Sequence, residues 1–480
     1  MLLGIQIHEI VGIGLFLLYA VSVASLVLVL LLENRNPLKT IPWVIVLIFL
    51  PGVGLIFYFF FGQDNRRQRI ISAKTYKRII RPLGANRIMH DTDACSVQLQ
   101  FQPLANLLKR NGRCVMLYGS EIEYFTNGAD KFKAFLDDIA SARHHIHVQY
   151  YIFNDDEIGE TVRRALIAKA REGVIVRVLY DDVGCWNVKK QFFNEMRDAG
   201  IEVFAFLRVV FPVFSGKVNY RNHRKIVVID GKTGYIGGMN IADRYVTGSS
   251  LGFWRDTHFR ISGKGVYGLQ SAFLIDWYAA SRRFIKGKVY YPKLPVYEDN
   301  IMQIAVSGPT DRWRTLLQAV SFCIANAKKY IYIQTPYFLP TEGLNQMLQM
   351  VAMGGVDVRL MLPKQCDTRL VNMATHSFID DMLKAGVKVY FYTAGFLHSK
   401  LFLTDDELAC IGSANFDFRS FEHNFEVNAF VYHAPFALRM KEMFMNDLEK
   451  CEHVVRTEWR KRPLLTRLSE SFMRLFSPLL

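Results

Sequence analysis

The sequence predicts an α/β fold in two tandem copies, preceded by a pair of membrane-crossing helices. Three observations carry that prediction. Two uncharged apolar stretches stand near the start, residues 11–32 and 41–62. A pattern of helix, glycine and β-branched strand occurs twice in the remainder. A string H-x-K-x-x-x-x-D also occurs twice, as His223/Lys225/Asp230 and His398/Lys400/Asp405, 175 residues apart.

The chain has 480 residues, 51% of them apolar, and a formal net charge of +15. That length holds two or three domains with sizeable cores, and the apolar share suits a membrane part joined to a globular part. The basic balance suits a nucleic acid, an anionic membrane surface or a phosphate-bearing substrate. Seven scattered cysteines, without a C-x-x-C pair, argue against a zinc site and a disulfide framework, and point to a reducing compartment.

Residues 11–32 and 41–62 are each long enough to cross about 30 Å of hydrocarbon as a helix. With the polar link Glu33–Thr40 they form an expected transmembrane hairpin, residues 1–63. A cleaved signal peptide fits poorly, because a basic leading region is missing and a second span follows at once. Pro51, Gly52 and Gly54 are expected to kink the second span or let the helices pack closely. Residues 64–110 read as a basic juxtamembrane linker, with Arg66, Arg67, Arg69, Lys74, Lys77, Arg78, Arg81 and Arg87. The link between the spans has only Arg35 and Lys39, so the positive-inside rule places the catalytic part in the cytoplasm. The same cluster is suited to hold anionic headgroups.

The repeat begins beyond Cys114. Glu172–Val178 resembles Gly354–Leu360, and Ala199–Val203 resembles Ala385–Val389. Helices are predicted around Glu160–Arg171 and Leu344–Met353, each followed by glycine and a strand, giving units over 111–290 and 291–480. His223, Lys225, Asp230 and Asn240 reappear in one register as His398, Lys400, Asp405 and Asn415. One match has little weight; two at one register, each followed by Gly-Gly or Gly-Ser and then Asn, are a strong signal.

The stretch His223–Asp230 reads as a strand, and side chains two apart share a face. His and Lys of each copy then face one cleft, while Asp230 and Asp405 point away and brace the framework. Such a set suits a phosphodiester. One imidazole attacks phosphorus to give a phosphohistidine, and the other handles the protons. Lys225 and Lys400 hold the non-bridging oxygens, and Asn240 and Asn415 add neutral phosphate-binding donors. The chemistry needs no metal and no cofactor. Asp256 and Glu426 lie in equivalent segments, and each is expected to orient the imidazole of its own copy.

These residues resemble the phospholipase D superfamily, and more closely the bacterial cardiolipin synthases. The likeness runs through Asn34–Pro37, Leu50–Gly54, Gln149–Phe153, Tyr180–Gly184, Asn222–Lys225, Trp254–Thr257, Thr335–Pro340 and Gly412–Ser420. It implies two tandem phospholipase D-like α/β sandwich domains related by a pseudo-two-fold axis. It implies transfer of a phosphatidyl group from one phosphatidylglycerol to another, with release of glycerol. His223 is then the nucleophile, and His398 the acid and base; repeat symmetry alone leaves that choice open. The resemblance also implies a multi-pass protein of the bacterial inner membrane whose partners are phosphatidylglycerol and other anionic lipids. The main alternative is hydrolysis by the same site, as a membrane-bound phospholipase D or a nuclease. The hairpin favours lipid, and no nucleic-acid module is evident.

Arg143–His147 reads as the start of a strand rather than a metal site. Phe211–Phe214 is a candidate lipid-touching loop. Leu465, Leu468, Phe472, Leu475, Phe476 and Leu479 form a stripe at helical spacing, which fits either an interfacial helix or, by default, packing on the domain.

Overall fold

The computed structural model describes residues 2–32, 37–50, 53–58, 75, 99–112, 114–209 and 220–480. The chain divides into two units, Met1–Arg67 with Val209–Asn219, and Gln68–Arg208 with Tyr220–Leu480. The basic collar 66–87 (apart from Thr75) and Phe211–Phe214 lie outside the described residues.

In the first unit, Leu2–Leu32 is one helix, and its stretch Val11–Leu28 is long and apolar enough to cross a membrane. The second apolar segment, whose span Pro51, Gly52 and Gly54 are expected to interrupt, is described in two pieces. It forms a helix over Pro37–Phe49 and a short one over Val53–Phe57, and 59–62 lie outside the described residues. Residues 51–52, between these two helices, also lie outside the described residues. The Tyr19 hydroxyl donates to the Leu47 carbonyl at 2.6 Å, and Val23, Leu26, Trp43, Val44 and Leu55 pack around Leu47 and Tyr58.

The second unit contains two mixed sheets. The strands are β1 (Leu117–Tyr118), β2 (Ser120–Phe125), β3 (His145–Tyr150), β4 (Ile175–Asp181), β5 (Glu202–Phe206), β6 (Ile226–Ile229), β7 (Thr233–Gly237), β8 (Trp254–Arg255) and β9 (His258–Gly263). They continue as β10 (Ile301–Ser307), β11 (Tyr330–Gln334), β12 (Phe338–Leu339), β13 (Asp357–Pro363), β14 (Lys388–Tyr392) and β15 (Phe396–Leu397). The last are β16 (Leu401–Thr404), β17 (Leu408–Gly412), β18 (Phe416–Asp417), β19 (Glu426–Tyr432) and β20 (Cys451–His453).

One sheet has the order β2-β9-β7-β6-β3-β4-β5; the other contains β10-β19-β17-β16-β11-β13-β14, with β1 and β20 added at its edges. Seven positions therefore match strand for strand, so the repeated sequence is a repeated topology. The helices Glu157–Arg171 and Glu342–Met353 cover the predicted segments. The repeated glycines Gly173, Gly200, Gly355 and Gly386 all have φ between 87° and 96°, the left-handed turn that ends a helix before a strand.

The predicted boundary at 111 is not where the sheets divide. β1 pairs antiparallel with β10, so residues 117–118 belong to the second sheet. The helix Gln102–Asn111 buries Leu104, Ala105 and Leu108 in the second half's core.

The halves share one core. The helix Gly265–Ser281 buries Phe273 and Trp277 in a cluster with Ile226 and Phe259 of the first sheet and Met302 and Leu403 of the second. It is apolar nearly all round because it is covered on nearly every side. Its counterpart Ala434–Leu448 adds Phe436, Met440 and Phe444. Each of these helices carries one buried aspartate that accepts from the central strand, Gln149 to Asp276 at 2.6 Å and Gln334 to Asp447 at 2.8 Å. Arg224 closes on Asp276, and Arg255 on Asp447. The Arg255–Asp447 pair joins the two halves, and Arg224, held by Asp276 within the first, crosses to the second by donating to the Glu426 and Ser307 carbonyls.

Candidate active site

The motif strands are shorter than expected. Only Ile226–Ile229 and Leu401–Thr404 join the ladders, and each His and Lys precedes them. Pairing between the halves positions these leading segments instead. β15 runs parallel to β8, and the His398 N–H donates to the Arg255 carbonyl at 2.7 Å. Asn222 bridges to Phe425, and the His223 N–H donates to the Phe425 carbonyl at 3.0 Å. Each His is thus tied to the residue that precedes a carboxylate of the opposite half.

That geometry corrects the expected pairing of carboxylates. His223 Nδ1 lies 3.0 Å from Glu426 Oε1, and His398 Nδ1 lies 2.6 Å from Asp256 Oδ2. Asp256 and Glu426 do contact imidazoles, but each contacts that of the other copy. The reason is the parallel pairing across the pseudo-two-fold, which no spacing within one copy reveals. Glu426 also accepts from Ser413 Oγ and, at 3.3 Å, from Asn424 Nδ2; Asp256 accepts from the Thr257 N–H at 2.7 Å.

Both imidazoles open on one cleft of about 350 Å³. Asn240 and Asn415 also line it. Part of each amide is committed: Asn240 Nδ2 donates to the Tyr245 hydroxyl and Asn415 Nδ2 to Asp417. Lys225 and Lys400 are buried and are not among the lining residues. Lys225 Nζ donates to the His223 carbonyl at 2.6 Å, while Lys400 Nζ lies against the His398 ring, 2.8 Å from Nδ1. The lysines therefore charge the cleft from behind the imidazoles.

Asp230 and Asp405, counted with the motif's catalytic set, stand outside the cleft. Asp230 accepts from the N–H groups of Arg143, His144 and His145, and Asp405 from those of Lys328, Lys329 and Tyr330. Both have positive φ, 54° and 58°, at the turn that closes the motif strand. Their bracing role is the one this geometry supports. His145 and His147 share Gln270, and His147 stacks on Phe273 at 4.4 Å, as buried members of β3.

Burial sets the protonation of the site. It pushes the His223 imidazole down to about 4, against the pull of Glu426. It holds His398 well below its ordinary range, with Lys400 and Lys225 adding repulsion. Burial pushes the Asp256 carboxyl up to about 6, opposed by Lys400. For Glu426 burial acts upward, but His223, Lys225 and Ser413 outweigh it, and its carboxyl lies below the usual range. Lys400 is lowered to about 8 by burial, opposed by Asp256 and Glu426, and burial holds Lys225 well below its ordinary value.

The sequence reading missed the cations of the wall, Arg221, Arg244 and Arg419. Arg244 and Arg419 are separated by the same 175 residues as the two histidines, so extending the repeat register four residues past each Asn finds them. Arg244 Cζ sits 5.1 Å from the Trp254 ring centroid. Tyr151, Tyr245, Trp254 and Tyr337 complete an aromatic lining that no repeat signal marks.

The family described as "Cardiolipin synthase, PLD-like domain" matches residues 135–250 and 321–448, and "Phospholipase_D-nuclease N-terminal" matches 20–63. The chain is 40% identical to the "Major cardiolipin synthase ClsA" of Bacillus subtilis (strain 168), covering 97% of this chain and 98% of that one. The chain belongs to the bacterial cardiolipin synthase family, within the phospholipase D superfamily. A cardiolipin synthase of Geobacillus sp. (strain WCH70) is 39% identical over 97% of this chain and 94% of its own. This family member also shares its fold with a solved phosphatidylserine synthase of Haemophilus influenzae Rd KW20. The TM-score is 0.62 at 15% identity, over 79% of this chain and 100% of the other.

Proposed function

We infer that the chain is a membrane-bound phosphatidyltransferase that makes cardiolipin from two molecules of phosphatidylglycerol. The observation that carries this reading is the meeting of two imidazoles from two copies in one cleft, each backed by a buried carboxylate. His223 is the nucleophile. A neutral imidazole is required, and burial supplies it at neutral pH. Its Nε2 bonds to phosphorus as the bond to the glycerol oxygen breaks. His398, held by Asp256, acts in its protonated form, which the negative charge of the bound phosphodiester favours over the neutral ring of the empty cleft; it gives that oxygen its proton and later takes one from the hydroxyl of a second phosphatidylglycerol. The acceptor oxygen then displaces Nε2, so one phosphodiester replaces another near energy balance. Arg221, Arg244, Arg419, Asn240 and Asn415 hold the non-bridging oxygens, and Lys225 and Lys400 raise the positive potential behind them.

The two apolar segments form a hairpin that anchors the enzyme in the bacterial inner membrane. The arginines and lysines of 66–87 keep the catalytic unit on the cytoplasmic side. The test is purified protein with phosphatidylglycerol in mixed micelles, followed by lipid analysis. Cardiolipin with glycerol is the expected product pair. Phosphatidic acid with glycerol, and no cardiolipin, would replace transfer by hydrolysis. Loss of turnover in both His223→Ala and His398→Ala is expected, and full activity in either would refute a shared site.

A further inference from the structure

The carboxyl-terminal stripe packs in the opposite sense to the default expectation. The helix Leu464–Arg474 and the turns that follow lie on the helix Arg369–Lys384, and the side they turn inward carries Glu470, Arg474 and Ser477 with Met473 and Leu480, not the stripe. Glu470 is buried, accepting from Arg462 at 2.7 Å and facing His376. Arg474 donates to Asp381 at 2.9 Å and lies over the Phe378 ring. Leu465, Leu468, Phe472, Leu475 and Leu479 are turned outward, with between 56% and 80% of their surface exposed. An amphipathic helix that spends its charges on the protein and leaves its apolar face open needs a second apolar phase.

Two observations, together with the chemistry of the site, say what that phase is. The exposed cations Arg460 and Arg467 border the stripe, and among the described residues no carboxylate pairs with either, whereas Lys461 beside them is held by Glu458 at 2.6 Å. That is the charge pattern for anionic headgroups. The segment also ends at the active site: Leu480 lines the cleft, with Thr368 and Val371 from the start of the supporting helix. Leu370, beside them, is 49% exposed. Finally, the reading of the site as a phosphatidyltransferase requires a lipid headgroup to reach this cleft from a bilayer.

We propose that residues 460–479, the helix Leu464–Arg474 with its flanking turns, form an interfacial segment that seats the mouth of the cleft on an anionic bilayer surface, a second membrane contact besides the apolar amino-terminal segments. The proposal rests on the phosphatidyltransferase reading. Its apolar residues enter the headgroup boundary, Arg460 and Arg467 take lipid phosphates, and phosphatidylglycerol enters beside Leu480 without leaving the membrane surface.

The experiment uses the full chain with two forms of one substrate: long-chain phosphatidylglycerol in vesicles, and dihexanoyl phosphatidylglycerol as free monomers in detergent. The variant L465S/L468S/F472S/L475S changes only exposed side chains. Its vesicle rate is expected to fall about tenfold while the monomer rate stays within about twofold of the parent. Equal rates on vesicles would overturn the proposal. So would an equal loss on both substrates, which would mark the stripe as a structural contact. So would a fall in oligomer mass by light scattering, which would mark it as an interface with a second copy. A second variant, R460Q/R467Q, changes two exposed side chains and is expected to lower the vesicle rate and flatten its salt dependence; unchanged salt dependence would count against headgroup binding. Failure of the parent enzyme on both substrates would instead refute the phosphatidyltransferase reading itself.

Discussion

Replacing Glu426 with Gln tests the crossed pairing of His and carboxylate directly. As His223 attacks phosphorus through Nε2, positive charge develops on the ring, and Glu426 sits 3.0 Å from its Nδ1 with no exposed surface. Two unit charges about 4 Å apart interact by about 4 kcal/mol at the effective dielectric of protein sites. Glutamine keeps the shape and one acceptor, so about 3 kcal/mol is lost, or about two decades in kcat. The assay compares phosphatidylglycerol with a phosphatidyl ester of p-nitrophenol, whose leaving group needs little protonation. A defect in the proton-transferring His is relieved by that ester, and a defect in the nucleophile is not. E426Q is expected to follow the leaving-group profile of H223A, and D256N that of H398A. The comparison holds whichever His attacks, because each carboxylate is matched to a histidine rather than to a step. An E426Q enzyme that follows H398A would refute the crossed arrangement.

The wall cations give a second test: R244Q and R419Q should each lower kcat/KM by about 10- to 100-fold, the worth of one charge-assisted hydrogen bond, read from initial rates. The pH profile of kcat/KM should be bell-shaped. Asp256 gains a proton as pH falls through about 6 and no longer backs His398, and Lys400 loses its charge as pH rises through about 8. D256N should remove the acidic limb; a profile flat from pH 5 to 9 would contradict both assignments (about one unit beyond each value). D230N should act on stability. Backbone N–H groups lower the Asp230 carboxyl despite its partial burial, so its stabilisation is present above the ordinary carboxylate range and lost as pH falls through the depressed value. With three N–H partners weakened, a cost of about 1–3 kcal/mol is expected in denaturant melts, with kcat of the folded enzyme changed by less than about threefold.

The duplication was legible because its marks are local. His223 and His398, Lys225 and Lys400, Asp230 and Asp405 sit at fixed spacing, and Gly173, Gly200, Gly355 and Gly386 repeat where a left-handed turn ends a helix. Alternation along an extended segment put the lysines in the cleft and the aspartates away from it; the aspartates do stand outside, but because each sits at a left-handed turn past the strand, and the lysines lie behind the imidazoles. The second apolar segment was legible as apolar, and its described helices, Pro37–Phe49 and Val53–Phe57, flank the position where Pro51 and Gly52 are expected to interrupt it.

What the sequence by itself determined about this protein is therefore the repeated α/β unit, its paired His and Lys, and an apolar start. Tertiary structure alone decided which carboxylate serves which imidazole, because β8 with β15, and Asn222 with Phe425, pair residues more than 140 positions apart. It alone buried the lysines behind the histidines and brought Arg221, Arg244 and Arg419 to one wall. It also turned the terminal stripe outward, since Glu470 and Arg474 find their partners on another helix. Spacing along a chain records what one strand or helix does with its own neighbours; a site shared by two halves depends on how those halves meet.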